Sequence, residues 1–149
     1  MPIYMDRHDI SDATKADIAE AHRKDLEIEH RFGLKMLTYW VDEERSSTFC
    51  LTRSPNDKAL TSLHQAAHGG LPNKIIEVDP NMVEMFLGRI EDPPNPRMDG
   101  SDMDSGFRAI MFTDLAGFTA LTVQLGDARA MDLLRRHNEI VRGELAQHE

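Results

Sequence analysis

Apolar positions recur with two different periods along this chain, and each change of period marks an element. Residues 3–8 alternate, with Ile3, Met5 and Arg7 toward one side and Tyr4, Asp6 and His8 toward the other, which predicts a short strand. Ile18, Ala19, His22 and Leu26 then recur at helical spacing. Thr14 stands ahead of them as a cap, and Asp17 lies three positions on, where a carboxylate suits the helix dipole. Gly33 after Phe32 predicts the stop. Residues 34–41 form the clearest strand, Leu34, Met36, Thr38 and Trp40 alternating with Lys35, Leu37, Tyr39 and Val41. After the polar turn Asp42-Glu43-Glu44-Arg45, residues 48–52 return as the second arm of a hairpin. Phe49 and Leu51 share one face of it, and Thr48, Cys50 and Thr52 the other. Ser54-Pro55-Asn56-Asp57 predicts a helix start with Ser54 as cap and Pro55 at the first helical position. That helix carries Leu60, Leu63, His64 and Ala67 on one side and ends at Gly69-Gly70, and residues 74–78 predict a last short strand.

The order β-α-β-β-α-β predicts an α+β fold of the ferredoxin-like kind over residues 1–80, in the dimeric α/β-barrel variety, with both helices on one face of an antiparallel sheet. The other face would expose apolar area, with Tyr4, Tyr39 or Trp40, and Val41 the residues to be covered, so a homodimer is expected. Residues 81–90, with Met82, Val83, Met85, Phe86 and Leu87, predict a short helix or arm. Composition then changes through Asp92-Pro93-Pro94-Asn95-Pro96 and Asp99-Gly100-Ser101-Asp102, and residues 91–106 are expected to be a disordered linker that cannot bury enough to order itself. Beyond it, an apolar run over 109–112 predicts a buried strand that breaks at Gly117 into two helical stretches split by Gly126-Asp127, with Asp127 as a cap. One strand and two helices do not close a core, so residues 107–149 are read as the first piece of a second domain, and the chain as a fragment.

Composition narrows the partners. A hydrophobic fraction of 40% and a charged fraction of 29% are those of a soluble globular chain. No apolar run approaches the roughly eighteen residues of a membrane span, and the first residues lack the pattern of a signal peptide. The single cysteine, Cys50, rules out an intrachain disulfide framework and fits a reducing, cytoplasmic setting. A net charge of −9 argues against a general nucleic-acid or anionic-membrane surface and leaves cations, small molecules and proteins.

Two groups of residues carry candidate chemistry. His8, His22, Cys50, His64 and His68 form the first. His64 and His68 lie four apart on one predicted helix, so both imidazoles can face one side, and imidazole with thiolate suits nickel, zinc or copper rather than magnesium. The competing reading is that seven histidines in 149 residues pair by accident, and that these cap and pack. The second group is Ile110-Met111-Phe112-Thr113-Asp114-Leu115-Ala116-Gly117-Phe118-Thr119. Asp114 at a strand end offers a carboxylate to a hard cation such as Mg²⁺ beside substrate phosphates. Gly117 lets the backbone approach a ligand closely, and the N–H groups of a helix start suit a polyphosphate.

Both groups resemble known families. Phe112, Asp114, Leu115, Gly117, Phe118 and Thr119 match the F-x-D-[LI]-x-G-F-[ST] signature of the class III nucleotide cyclases. The resemblance implies conversion of ATP or GTP to a 3′,5′-cyclic nucleotide and pyrophosphate with Mg²⁺ or Mn²⁺. Asp114 would be the first metal-binding aspartate, the Leu115 carbonyl would help hold the second ion, and the amides of Gly117, Phe118 and Thr119 would face the triphosphate. The family's remaining catalytic residues would lie beyond Glu149, so this chain alone is expected to be inactive. Tyr39-Trp40-Val41-Asp42-Glu43-Glu44, Phe49-Cys50-Leu51, His64 and His68-Gly69-Gly70-Leu71-Pro72, with Arg7-His8 and Ala21-His22, resemble a family of small bacterial ferredoxin-like domains described as nickel-binding. That resemblance implies Ni²⁺ or Zn²⁺ held by some of His8, Cys50, His64 and His68. The expected whole is a sensory or metal-binding domain joined to the start of a cyclase. Two alternatives stand beside it: a non-enzymatic nickel-binding or dimerisation protein, and an enzyme using Cys50, Tyr39 and His8 on the open sheet face.

Overall fold

The strand and helix signals of the first 80 residues come together as one four-stranded sheet with two helices across it. The computed structural model describes residues 1–147, and the chain divides into two units, Met1–Ala109 and Ile110–Glu149. In the first unit the order is β1 (Ile3–Asp9), α1 (Lys15–Ile28), a 3₁₀ turn (Glu29–Phe32), β2 (Lys35–Asp42), β3 (Ser47–Arg53), α2 (Asp57–Ala67), β4 (Lys74–Val78) and α3 (Pro80–Leu87). The strands lie in the order β2-β3-β1-β4, and every neighbouring pair is antiparallel.

Local chemistry fixes the helix ends. Thr14 caps α1 in a reciprocal box with Asp17, each satisfying a backbone N–H of the other. The cap of α2 is Asn56, whose side chain accepts from Ala59 N at 2.9 Å, and not Ser54 as the sequence suggested. Ser54 is still engaged with the sheet: it is fully buried, and its backbone N–H bonds the Pro2 carbonyl.

One irregularity in β2 rearranges the expected faces. The register slips between Met36 and Thr38, so Leu37 is a bulge. Strict alternation would have placed Met36 with Trp40. Instead Met36 joins Tyr39 and Val41 under the helices, in a core with Leu60, Leu63 and Met103. Leu37 and Trp40 join Ile3, Leu51 and Val83 on the opposite face. Burying each large side chain of these clusters contributes about 1.5–3 kcal/mol.

The residues expected to await a partner are covered within the chain itself. Tyr4, Tyr39 and Val41 lie under the helices, and Trp40 is fully buried. The α3 helix, through Val83, and the segment after it supply the cover. Residues 91–106, expected as a disordered linker, have no helix or strand but are fastened to this unit as a strap. Arg89 lies 4.7 Å over the Trp40 ring and donates to Thr38 Oγ1 and to the Tyr39 carbonyl. Val41 N bonds Asp104 O at 2.9 Å, Asp92 N bonds Leu37 O at 2.8 Å, and Lys15 Nζ bonds Met103 O at 2.9 Å. Met103 is 1% exposed. Gly106, at φ 68°, runs so close to Trp40 that a Cβ would sit 3.1 Å from the indole's own Cβ. Composition hid this because the anchors are a few isolated residues among prolines and aspartates. The strap also occupies the outer edge of β2, which would otherwise present unpaired backbone groups.

The second unit is a helix pair, α4 (Phe118–Leu125) and α5 (Asp127–Leu145). The buried strand expected at 109–112 is not formed: residues 107–115 carry neither helix nor strand, and Phe112 is 90% exposed. Among the described residues its backbone has no neighbouring strand to bond, which is the condition for a strand to persist. Asp127 starts α5 inside its first turn and does not cap it; the capping position is Gly126.

Candidate metal centre

Four elements of the first unit bring titratable side chains to one cavity of about 150 Å³ under the helices. The alternation of β1 turns Asp6 and His8 inward together, with Cys50 of β3 directly opposite Asp6. Helical spacing brings His22 and Asp25 of α1 to the same side, three residues apart, and His64 and His68 of α2, four apart.

His64 is the hub. Its Nε2 lies 3.0 Å from Asp6 Oδ2 and its Nδ1 3.1 Å from Asp25 Oδ2. His8 Nε2 approaches the same Asp6 oxygen at 2.7 Å, and His68 Nε2 lies 3.3 Å from Asp25 Oδ1 and 3.2 Å from His64 Nδ1. The result is an unbroken row His8–Asp6–His64–Asp25–His68, with Asp6, Asp25 and His64 each no more than 2% exposed.

The electrostatics follow from this pairing. Burial works against a charged His64, but hydrogen bonds from its two ring nitrogens to Asp25 and Asp6 outweigh it and lift the imidazole pKa to about 9. Burial likewise favours neutral Asp6 and Asp25, yet the hydrogen bonds and charge of their histidines hold both carboxyls below the usual range. Cys50 goes the other way. Burial, and then the charges of Asp6, Asp25 and Asp92, push its thiol well up, so the thiolate is disfavoured.

Two overlapping sets of ligand atoms are close enough to share an ion: Asp6, His8 and His64, and Asp25, His64 and His68. Three of the four residues expected from the sequence, His8, His64 and His68, are brought together. Cys50 lines the same cavity but stands outside both sets, and its raised thiol pKa agrees with that position. The residues fit a late divalent transition ion, because imidazole nitrogens with a few carboxylate oxygens form a borderline donor set. Asp6 Oδ1 is buried without a partner, an acceptor left over by the protein's own hydrogen bonds. The sequence pattern does not single out the two carboxylates, although a signal is present: Asp6 is two before His8 on a strand, and Asp25 three after His22 on a helix.

The nickel responsive protein SCO4226-like family matches residues 4–78, half of the chain. The chain belongs to the SCO4226-like family. A solved structure, that of SCO4226 from Streptomyces coelicolor A3(2), is 27% identical and covers 51% of this chain and 94% of its own, with a TM-score of 0.47. No curated protein matches the chain. The five residues of the His–Asp row all fall inside the matched span of the SCO4226-like family, whereas residues 107–147 fall outside it.

The cyclase-like residues sit in a different setting. Asp114 is exposed, and its Oδ1 accepts from Leu115 N at 2.9 Å. The Leu115 carbonyl accepts from Phe118 N, and Gly117, at φ 70°, turns the chain into α4, with Thr119 exposed in its first turn. Among the described residues no helix is long and apolar enough to cross a membrane.

Proposed function

We propose that the first unit is a nickel-binding module of ferredoxin-like fold, holding a late divalent ion with one of its two sets, Asp6, His8 and His64 or Asp25, His64 and His68. The observation that carries this reading is His64, a buried imidazole with a carboxylate on each ring nitrogen. A metal replacing the proton on one nitrogen leaves the other N–H on its carboxylate, an arrangement that orients the ligand and raises its basicity. Zinc fits the same donors and is the competing ion. Titration calorimetry with Ni²⁺ and Zn²⁺ at neutral pH, Cys50 kept reduced, tests the reading. Wild type should bind and the double variant His64→Ala, His68→Ala should not; a wild type without heat of binding overturns it. Cytoplasmic placement, where a free thiol persists, belongs to this proposal. So does a homodimer formed through Met5, Phe49 and the half-exposed Ile76 on the sheet face away from α1 and α2. Sedimentation of the monomer alone would remove the dimer.

A second reading concerns the region after the strap. The motif from Phe112 to Thr119 supports the opening of a class III nucleotide cyclase, with Asp114 on Mg²⁺ or Mn²⁺ and the amides of Gly117, Phe118 and Thr119 toward a nucleoside triphosphate. The first unit would then be its sensory partner. Formation of a cyclic nucleotide from ATP or GTP by the natural gene product, lost in Asp114→Ala, tests this; undiminished turnover in that variant removes the site.

A further inference from the structure

His22 is the one histidine on the cavity wall that belongs to neither ligand set. It is 6% exposed, its ring packs 4.7 Å from that of Tyr39, and its Nε2 lies 2.9 Å from Asp92 Oδ2. A carboxylate only accepts, so Nε2 carries the hydrogen, and in the neutral imidazole Nδ1 is left with a lone pair. That Nδ1 is buried and has no partner. An unpaired buried acceptor is costly, and His22 lines the same cavity as His8, Asp25, His64 and His68. Asp92 lies outside the span 4–78 that the family matches and is delivered by the strap.

We propose that His22 is a positioning residue for the metal: its Nδ1 accepts a hydrogen bond from water bound to the ion, and Asp92 holds the tautomer that makes this so. The strap is thereby clamped when the cavity fills. The inference rests on the nickel-binding reading, and it assigns to this chain a determinant of metal affinity supplied from outside the family domain. A hydrated divalent cation suits the place because Ni²⁺ bound by the two imidazoles and one carboxylate of one set needs further oxygen ligands. Water bound to a cation is also a strong donor. The coupling is reciprocal: a strap that strengthens metal binding is itself held by the metal to the same degree.

The test uses the full chain, Ni²⁺ as the probe, and two readouts. The first is affinity by calorimetry for wild type, His22→Phe, Asp92→Ala and Asp92→Asn. Loss of an outer-sphere partner of this kind costs about tenfold or more in affinity. His22→Phe and Asp92→Ala should therefore bind about tenfold more weakly at unchanged stoichiometry. Asp92→Asn should stay near wild type, since an amide oxygen also accepts from Nε2–H. The second readout is tryptic cleavage after Arg97, exposed on the strap, which Ni²⁺ should slow in wild type and leave unchanged in His22→Phe. Should His22→Phe fail to fold, His22→Gln and Asp92→Ala carry the same comparison. Folded variants binding Ni²⁺ as wild type does, or cleavage indifferent to Ni²⁺ in wild type, overturn the proposal. A wild type that binds no Ni²⁺ overturns the nickel-binding reading and this inference with it, so the two failures are distinguishable.

Discussion

Residues 36–41 and 109–112 are both short apolar runs next to polar turns, and on periodicity alone they deserve the same assignment. Residues 36–41 are almost wholly buried in a strand, while Ile110, Met111 and Phe112 are each more than half exposed in a stretch with no regular structure. The difference lies in what each run has beside it. β2 bonds β3 along one edge, and the other edge is taken by the carboxylate of Glu29 and by the strap. Residues 109–112 have no such partner among the described residues. A strand is a property of a pair, so an apolar run predicts one only as far as its neighbour is present.

The sharpest way to break this comparison is hydrogen exchange. Amides at the centre of β2 and β3 should exchange only through global unfolding, whereas those of 109–112 should exchange close to the unprotected rate, orders of magnitude faster. Slow exchange over 109–112 would show that the run is paired after all. Next in size, Trp40→Ala should cost about 3–5 kcal/mol of unfolding free energy, while Phe112→Ala should fall within about 0.5 kcal/mol, read from denaturant midpoints.

Removing His64 should rank close behind. His64→Ala leaves the Asp6 and Asp25 carboxylates buried without their shared cation, at a cost of about 3 kcal/mol in the metal-free protein. A loss below about 0.5 kcal/mol would show that the row is not a charged network. Of similar size is the pH response of the metal-free protein. A histidine raised to about 9 stabilises fully below its unfolded value near 6.5 and loses that contribution as pH rises through about 9. Lowered carboxyls stabilise above their unfolded value near 4 and lose that contribution as pH falls. Melting temperature should therefore be highest between about pH 4 and 6.5. With Ni²⁺ bound the trend toward alkaline pH should reverse, because ligands must shed protons to bind. Parallel profiles with and without Ni²⁺ would separate the metal from these groups.

Much of the first unit was legible in the sequence because its signals are local. The Thr14–Asp17 box, the hairpin and the four-residue spacing of His64 and His68 each lie within one element or one turn. What escaped was set by contacts between distant positions. Asp6 and Asp25 look like ordinary surface carboxylates until a buried histidine stands beside them. Cys50 looked like a ligand because sequence records a thiol but not the burial, and then the carboxylates, that keep it protonated. The strap looked unstructured because its anchors, Asp92 and Met103, bond to His22 and Lys15, seventy or more positions away.

The bulge at Leu37 ties these threads together. An extra residue in a ladder leaves its own peptide group without a partner in the sheet, and it is the Leu37 carbonyl that receives the N–H of Asp92. The stutter in β2 thus works as a keyhole, and Asp92 as the key whose bow, the carboxylate, turns against His22. Deleting Leu37 would restore a regular ladder and remove the keyhole at once. A change that tidied the sheet would then be felt in the cavity on its far side, through Asp92, which belongs to neither ligand set.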